Sequence, residues 1–388
     1  MNNFKYVSPT RFVFGRNAEA SLVEESSKLG KVILLHYGGG SIVKSGLYER
    51  IKNYLAKTSA RIIELGGVKP NPSLELVRKG IDLCRSQKVT GVLAVGGGSV
   101  IDSAKAIAIG VPYTGDVWDF FTEKASVAAA LPLGVILTLP AAGSEGSTSS
   151  VITDVPNKSK FDCEHNLMRP IFSLLNPELT YTLSPFQTAC GITDMISHVM
   201  ERYFTHTEDV ELSDRLCEAV LRTIINTAPR VLANPTDYAG RAELMWASTI
   251  AHIDLLGLGR VGDWASHRIE HELSAQYDVA HGAGLAVIFP AWMKYVLREN
   301  LSKSVQFALR VWNVEYVAGR EEQLALEGIR RHTEFYKSIG MPTNLKALGV
   351  NDNRYDVMAE KTMRSGPFGE VKKLGKEDVV AIYTLAES

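Results

Sequence analysis

The sequence carries Gly-Gly-Gly-Ser twice, at 38–41 and at 96–99, and each copy closely follows a short run of apolar residues. The runs Val-Ile-Leu-Leu at 32–35 and Val-Leu-Ala-Val at 92–95 do not alternate with polar residues. Strands of that kind are buried on both faces, which requires a parallel sheet with helices on either side. The pattern predicts strands at Lys31 to His36, Arg61 to Leu65, Gly91 to Val95 and Leu133 to Leu139, with Arg11 to Phe14 as an extra edge strand. Helices are predicted between them at about Gly46 to Lys57, Ser73 to Ser86 and Ser99 to Ile109. The first 180 or so residues therefore read as a doubly wound α/β domain.

Ligands of such sheets bind beyond the carboxyl ends of the strands, where both glycine turns fall. Glycines let the backbone approach a phosphate, and free amides with the positive end of the following helix stabilise its charge. One such turn could be no more than a tight strand-to-helix connection; two on one sheet edge point to a dinucleotide. The first loop, Gly38, Gly39, Gly40 and Ser41, offers no carboxylate to bond the ribose of NAD or to repel a 2′-phosphate, and Lys44 follows one turn later. The expected cofactor is NADP(H).

From about Tyr181 the strand-like runs stop and amphipathic helices take over, predicted at Asp209 to Val231, Tyr238 to Leu256, Trp264 to Tyr277, Lys303 to Asn313 and Glu321 to Ile339. Six of the nine histidines lie between 198 and 281. Asp194 and His198 are four apart in a helix-period segment, which places carboxylate and imidazole on one helical face. His267 and His271 repeat the spacing, and His281 follows in Val-Ala-His-Gly-Ala-Gly. Three imidazoles and one carboxylate leave a dication with a net positive charge and an exchangeable position, the composition of a catalytic metal site. For any one pair the alternative is an ordinary helix histidine; the combination favours a site.

Composition bounds the remaining classes. The chain has 388 residues with 45% hydrophobic and 22% charged side chains, enough for two cores. With 42 Lys and Arg against 43 Asp and Glu there is no basic field for nucleic acid and no polybasic membrane patch. The longest apolar run, Val127 to Ala142, is too short to span a bilayer and contains Pro132 and Pro140. Cys84, Cys163, Cys190 and Cys217 are scattered, as reduced core thiols would be. No secretory signal is read in the first residues, so the expected location is the cytoplasm.

The two glycine loops, Pro70-Asn71-Pro72, the stretch Thr138 to Glu145, Asn176-Pro-Glu-Leu-Thr180, Asp194 with His198, and His267 with His271 through His281-Gly282 together resemble the iron-containing (group III) alcohol dehydrogenases. The resemblance covers nearly the whole chain and is strongest to the NADPH-dependent butanol dehydrogenase and aldehyde reductase branch. It implies metal ligation by Asp194, His198, His267 and His281, with Fe(2+) or Zn(2+) as the ion and His271 beside the nicotinamide and substrate. It also implies cofactor contacts from Gly97, Gly98, Ser99, Asp102, Thr138, Ser144 and Lys160. Ala280 in place of a proline, Asn176 in place of an aspartate and the charged Glu270 depart from the family pattern.

The resulting expectation is a metal-dependent dehydrogenase that transfers a hydride between NADP(H) and a primary alcohol or aldehyde of short to medium chain length. The two expected domains are residues 1–181, dinucleotide-binding, and 182–388, all-helical and metal-binding, packed with cofactor and ion in the cleft between them. A homodimer is expected, with neither nucleic acid nor membrane as partner. Two alternatives stand beside this: a dehydroquinate synthase-like or glycerol dehydrogenase-like relative, and a catalytically silent nucleotide-binding module. The first would need a dense set of cations for a phosphorylated substrate, and Trp246 to Pro290 offers only Arg260 and Arg268.

Overall fold

The computed structural model describes residues 1–388. The chain forms two compact units, one made of Val7–Leu183 with Pro235–Thr249, the other of Met1–Tyr6, Ser184–Asn234 and Ile250–Ser388. This differs in two places from a single cut after residue 181. Residues 235–249 join the α/β unit because Trp246 meets Phe12 and Phe14 edge-on, at 5.9 and 6.1 Å, and Thr249 donates to Glu145 at 2.6 Å. The first six residues join the helical unit, where the Asn2 amide donates to the Gly259 carbonyl at 2.8 Å.

In the α/β unit six parallel strands lie in the order β1-β8-β5-β4-β2-β3. They are β1 (Arg11–Phe14), β2 (Val32–Gly38), β3 (Arg61–Val68), β4 (Gly91–Gly97), β5 (Leu133–Leu139) and β8 (Phe172–Leu175). Between β5 and β8 the chain adds an antiparallel hairpin, β6 (Ser149–Asp154) with β7 (Ser159–Glu164), which the sequence reading did not anticipate. Burial follows from the strand sequences: Ile33, Leu35, Leu93 and Val95 enter the core on one face of the sheet, Leu34, Val92 and Ala94 that on the other. The main covering helices are α1 (Leu47–Leu55), α2 (Leu74–Gln87) and α3 (Gly98–Gly110).

The chain runs outward from β2 to β3 on one side and from β4 to β5 on the other, so the strand order reverses between the neighbours β2 and β4. That reversal is where open α/β sheets bind ligands. His36 braces it from below. Its ring is buried, Nδ1 lies 2.8 Å from the Leu65 carbonyl of β3 and Nε2 2.9 Å from Ser103 Oγ of α3, and burial lowers its pKa to about 4 against the Leu65 hydrogen bond. The neutral ring donates from Nδ1 to Leu65 and accepts from the Ser103 hydroxyl at Nε2.

The other unit is helical. Its long elements are α4 (Pro185–Tyr203), α5 (Glu211–Ala233), α7 (Ala265–Tyr277), α8 (His281–Tyr295), α9 (Leu301–Arg310), α10 (Glu321–Ser338), α11 (Tyr355–Thr362) and α12 (Lys376–Leu385). Helix α6 (Tyr238–His252) precedes α7, and most of it belongs to the α/β unit. Pro185 and a reciprocal Ser184–Gln187 capping box start α4. No helix is long and apolar enough to cross a membrane.

Candidate active site

The cofactor residues expected from the sequence collect at the carboxyl ends of β2, β4 and β5. Gly38 ends β2, and Gly39 and Gly40 lead to the short helical turn Ser41–Lys44. A Cβ placed on Gly39 or Gly40 meets nothing within 4 Å, so that loop faces open space. The second loop is tighter. A Cβ on Gly96 would come within 2.4 Å of Val100, whereas Gly97 and Gly98 form the junction of β4 with α3, a two-residue path into a helix N-terminus. Ser99 is the second residue of α3, and Thr138 lies near the end of β5; both are partly buried.

Asp102 and Ser144 face each other: the Ser144 hydroxyl donates to Asp102 Oδ1 at 2.6 Å, and the Val151 amide donates to Oδ2 at 3.1 Å. Burial raises the Asp102 pKa, and the Lys105 charge with these two hydrogen bonds opposes it. Lys160, buried on β7, donates to Asn71 Oδ1 at 3.1 Å. Two buried charges here escaped the sequence reading. Lys105 Nζ donates to the Ser147 carbonyl and hydroxyl, both at 3.0 Å, and to the Ser149 carbonyl at 2.8 Å. Glu145, its pKa raised by burial, accepts from Thr249. A lysine inside the apolar run Ala104–Gly110 was the available signal, since a buried ammonium must find acceptors.

In the helical unit the expected metal ligands converge. Asp194, His198 and Glu201 occupy positions i, i+4 and i+7 of α4 and so share a face. Asp194 Oδ1 is 3.4 Å from His198 Nε2, 3.9 Å from His267 Nε2 and 3.7 Å from His281 Nε2. A tetrahedral ligand set with bonds of about 2.1 Å has edges of about 3.4 Å; Asp194, His267 and His281 offer ligand atoms that all lie within 4.8 Å of one another, and His198 adjoins this group through Asp194. Asp194 Oδ1 and His267 Nε2 are buried and find no hydrogen-bond partner, an arrangement a cation resolves. The residues present fit the metal.

Glu201 and Glu270 orient two of the imidazoles. Glu201 Oε1 accepts from His267 Nδ1 at 2.8 Å and from the His267 amide at 3.0 Å, while Oε2 accepts from the Trp264 amide at 2.7 Å. Glu270 accepts from His281 Nδ1 through one oxygen and from the Ser274 hydroxyl, at 2.5 Å, through the other. Both carboxylates are fully buried. They hold the proton on Nδ1 and turn Nε2 toward Asp194, as carboxylates behind metal-bound histidines do. Glu270 thus has a place in the site, and Glu201 is a participant the sequence reading missed.

The electrostatics differ from one histidine to the next. Burial disfavours charge on His267, but the adjoining Asp194 and Glu201 carboxylates outweigh this and push the pKa up to about 9. His198 goes the other way: burial, then neighbouring His252, His267 and Arg202, hold it well below the ordinary value. Arg202 donates to the His198 carbonyl and to His252 Nδ1, each at 2.8 Å. His271, partly exposed, stands with its ring 5.5 Å from that of His281. Its nitrogen, the His281 nitrogen and a Glu270 oxygen lie within 4.8 Å of one another, so His271 borders the cluster without facing Asp194.

Comparison with known proteins shows the family to which the chain belongs. The family model for iron-containing alcohol dehydrogenase matches residues 9–177, and that for the C-terminal part of the Fe-containing alcohol dehydrogenase family matches 188–386. A probable NADH-dependent butanol dehydrogenase of Bacillus subtilis is 45% identical over 98% of this chain and 99% of its own length. The NADPH-dependent aldehyde reductase YqhD of Escherichia coli is 36% identical over 94% of each chain. The crystal structure of an NADH-dependent butanol dehydrogenase A from Thermotoga maritima superposes with a TM-score of 0.97 at 39% identity, covering 100% of this chain and 99% of that one.

Proposed function

From the membership of this chain in the iron-containing alcohol dehydrogenase family, we propose that it interconverts short to medium primary alcohols and aldehydes with NADP(H) and one Fe(2+) or Zn(2+) ion. It is an oxidoreductase acting on CH–OH groups with a nicotinamide cofactor. The observation that carries the site assignment is the meeting of Asp194 Oδ1 with three imidazole Nε2 atoms at 3.4 to 3.9 Å.

Asp194, His198, His267 and His281 would hold the ion, and Gly97, Gly98, Ser99, Asp102, Thr138, Ser144 and Lys160 with the Gly38–Ser41 loop would hold the dinucleotide. When bound, the two groups supply a hydride and the positive charge that stabilises a developing alkoxide. The protein's part is positional. Asp194 brings the one negative charge of the ligand set, so a dication there keeps a net positive charge. Glu201 and Glu270 fix the Nδ1 protons of His267 and His281, leaving each Nε2 lone pair free to ligate. His271, next to the cluster and partly exposed, would pass the substrate proton to or from water.

The preference for NADP(H) rests on the first glycine loop, where no carboxylate stands and the space beside Gly39 and Gly40 is open. The relatives' names divide, NADH for the Bacillus and Thermotoga proteins and NADPH for the less similar E. coli reductase, so the loop chemistry is the argument. Metal analysis of anaerobically purified protein, combined with an aldehyde panel in NADPH and NADH, tests the reading. One equivalent of iron or zinc and reduction of butanal are expected; metal-free protein with full activity would refute it.

A further inference from the structure

Trp264 stands in a backbone conformation that a bulky residue seldom adopts. Its φ is 63° and its ψ 9°, in the left-handed region where glycine and asparagine are at ease. Hydrogen bonds hold it there. Glu201 accepts from the Trp264 amide at 2.7 Å and from the His267 amide at 3.0 Å, so one carboxylate fixes the turn into α7 and the imidazole of His267 together. Both bonds use backbone N–H groups, and glycine would make them without strain. The indole therefore serves some other end, since strain at such a site persists where function requires the side chain.

The position of the ring shows what that end is. The Arg202 guanidinium lies 4.6 Å from its centroid, and the rings of His267, His198 and His252 stand edge-on at 5.5, 5.9 and 6.0 Å. Trp264 is nevertheless 36% exposed, while His198 and His267 are each 6% exposed. Trp264 is thus left partly open beside two of the imidazole rings that converge on Asp194. The alkyl carbons of a substrate whose oxygen is held at that cluster would come within reach of this ring, and an aromatic surface rewards hydrocarbon and leaves hydroxyl groups without partners.

We infer that Trp264 is a specificity-determining residue, the wall on which the hydrocarbon tail of the substrate packs, selecting unsubstituted aldehydes over hydroxylated ones. The inference rests on the alcohol dehydrogenase reading of the site. Its test compares wild type, W264G, W264N and W264F, each assayed for bound metal, melting temperature and kcat/KM toward butanal and glyceraldehyde. W264G and W264N relieve the backbone while removing the wall. Both should keep the metal and melt close to wild type, while the butanal-to-glyceraldehyde ratio falls at least about ten-fold, mainly through KM for butanal. W264F keeps an apolar ring and should hold the ratio within about three-fold of wild type. A ratio unmoved in W264G and W264N overturns the inference, and so does loss of metal in both, which would make the ring a support of the cluster. A wild type that reduces neither aldehyde overturns the alcohol dehydrogenase reading as well, so the two failures are told apart.

Discussion

Glu201 Oε1 accepts a hydrogen bond from His267 Nδ1 at 2.8 Å, and this contact joins α4 to α7 across the candidate metal cluster. The same carboxylate takes two backbone amides, so its loss affects ring and turn together. Glu201→Gln keeps the shape but cannot accept at both oxygens. Metal affinity is expected to fall about 10- to 100-fold, measured by competition with a chelator. His267→Ala removes a ligand outright and should abolish stoichiometric metal and most activity while the α/β unit stays folded. Unchanged affinity in Glu201→Gln would separate the carboxylate from the metal.

Close helix packing makes a second prediction. A Cβ on Gly282 would lie 2.1 Å from the Cys190 carbonyl oxygen, a backbone atom of α4 that cannot turn aside. Gly282→Ala therefore pushes α8, and His281 at its start, away from Asp194. The expected result is a destabilisation of about 1–3 kcal/mol together with reduced metal occupancy. Normal melting and full occupancy would show that the helices can part at no cost.

Those two contacts mark where the sequence was readable. The i, i+4 pairs Asp194–His198 and His267–His271 were legible because helical spacing is local, and apolar runs such as Val92–Val95 exposed the parallel sheet. Strand β8, four residues between Pro170 and Pro177, was too short to stand out, and the hairpin β6–β7 is too polar to read as buried structure. Helix α8 was not among the predicted helices, since Gly282, Gly284 and Pro290 are poor helix formers. Packing reverses that preference: a Cβ on Gly284 would meet the Glu270 side chain at 2.5 Å. Glu201 and His267 are separated by 66 positions, and no local rule joins them.

His36 gives a dependence on pH with a definite sign. Its folded pKa, about 4, lies below the ordinary 6.5. Above pH 6.5 the ring is neutral in both states and contributes no slope. Between 6.5 and 4 the unfolded chain binds a proton that the folded chain refuses, so stability falls with pH, by about 1.4 kcal/mol per unit and about 3 kcal/mol in all. Denaturant titrations of wild type and His36→Gln at several pH values should differ in slope across that window. Parallel curves would mean that the imidazole accepts a proton in place.

His271 borders the cluster through His281 and Glu270, so its role is separable from ligation. His271→Ala should retain the metal and slow alcohol oxidation by about 10²- to 10⁴-fold, the range of a lost proton-transfer group, with an altered pH–rate profile. Kinetics identical to wild type across pH would reduce His271 to a packing residue.

Cofactor choice turns on a glycine with room to spare. Nothing stands within 4 Å of a Cβ on Gly39, and Gly39 is not among the positive-φ glycines, so an aspartate can be introduced without backbone strain. In the present loop a 2′-phosphate meets no negative charge, the Ser41 hydroxyl and loop amides can donate to it, and Lys44 lies at the end of the turn that begins at Ser41. Charge-assisted bonds of that kind are roughly twice as strong as neutral ones. A carboxylate at 39 would instead accept from the ribose hydroxyls of NAD and repel the phosphate. Wild type is therefore expected to favour NADPH in kcat/KM, and Gly39→Asp to favour NADH, through opposite changes in KM with little change in kcat. Because Gly39 is remote in sequence from every metal ligand, metal content should not change. A wild type that uses NADH as well as NADPH would move discrimination away from this loop, and a Gly39→Asp protein with unaltered preference would show that the dinucleotide ribose does not reach it.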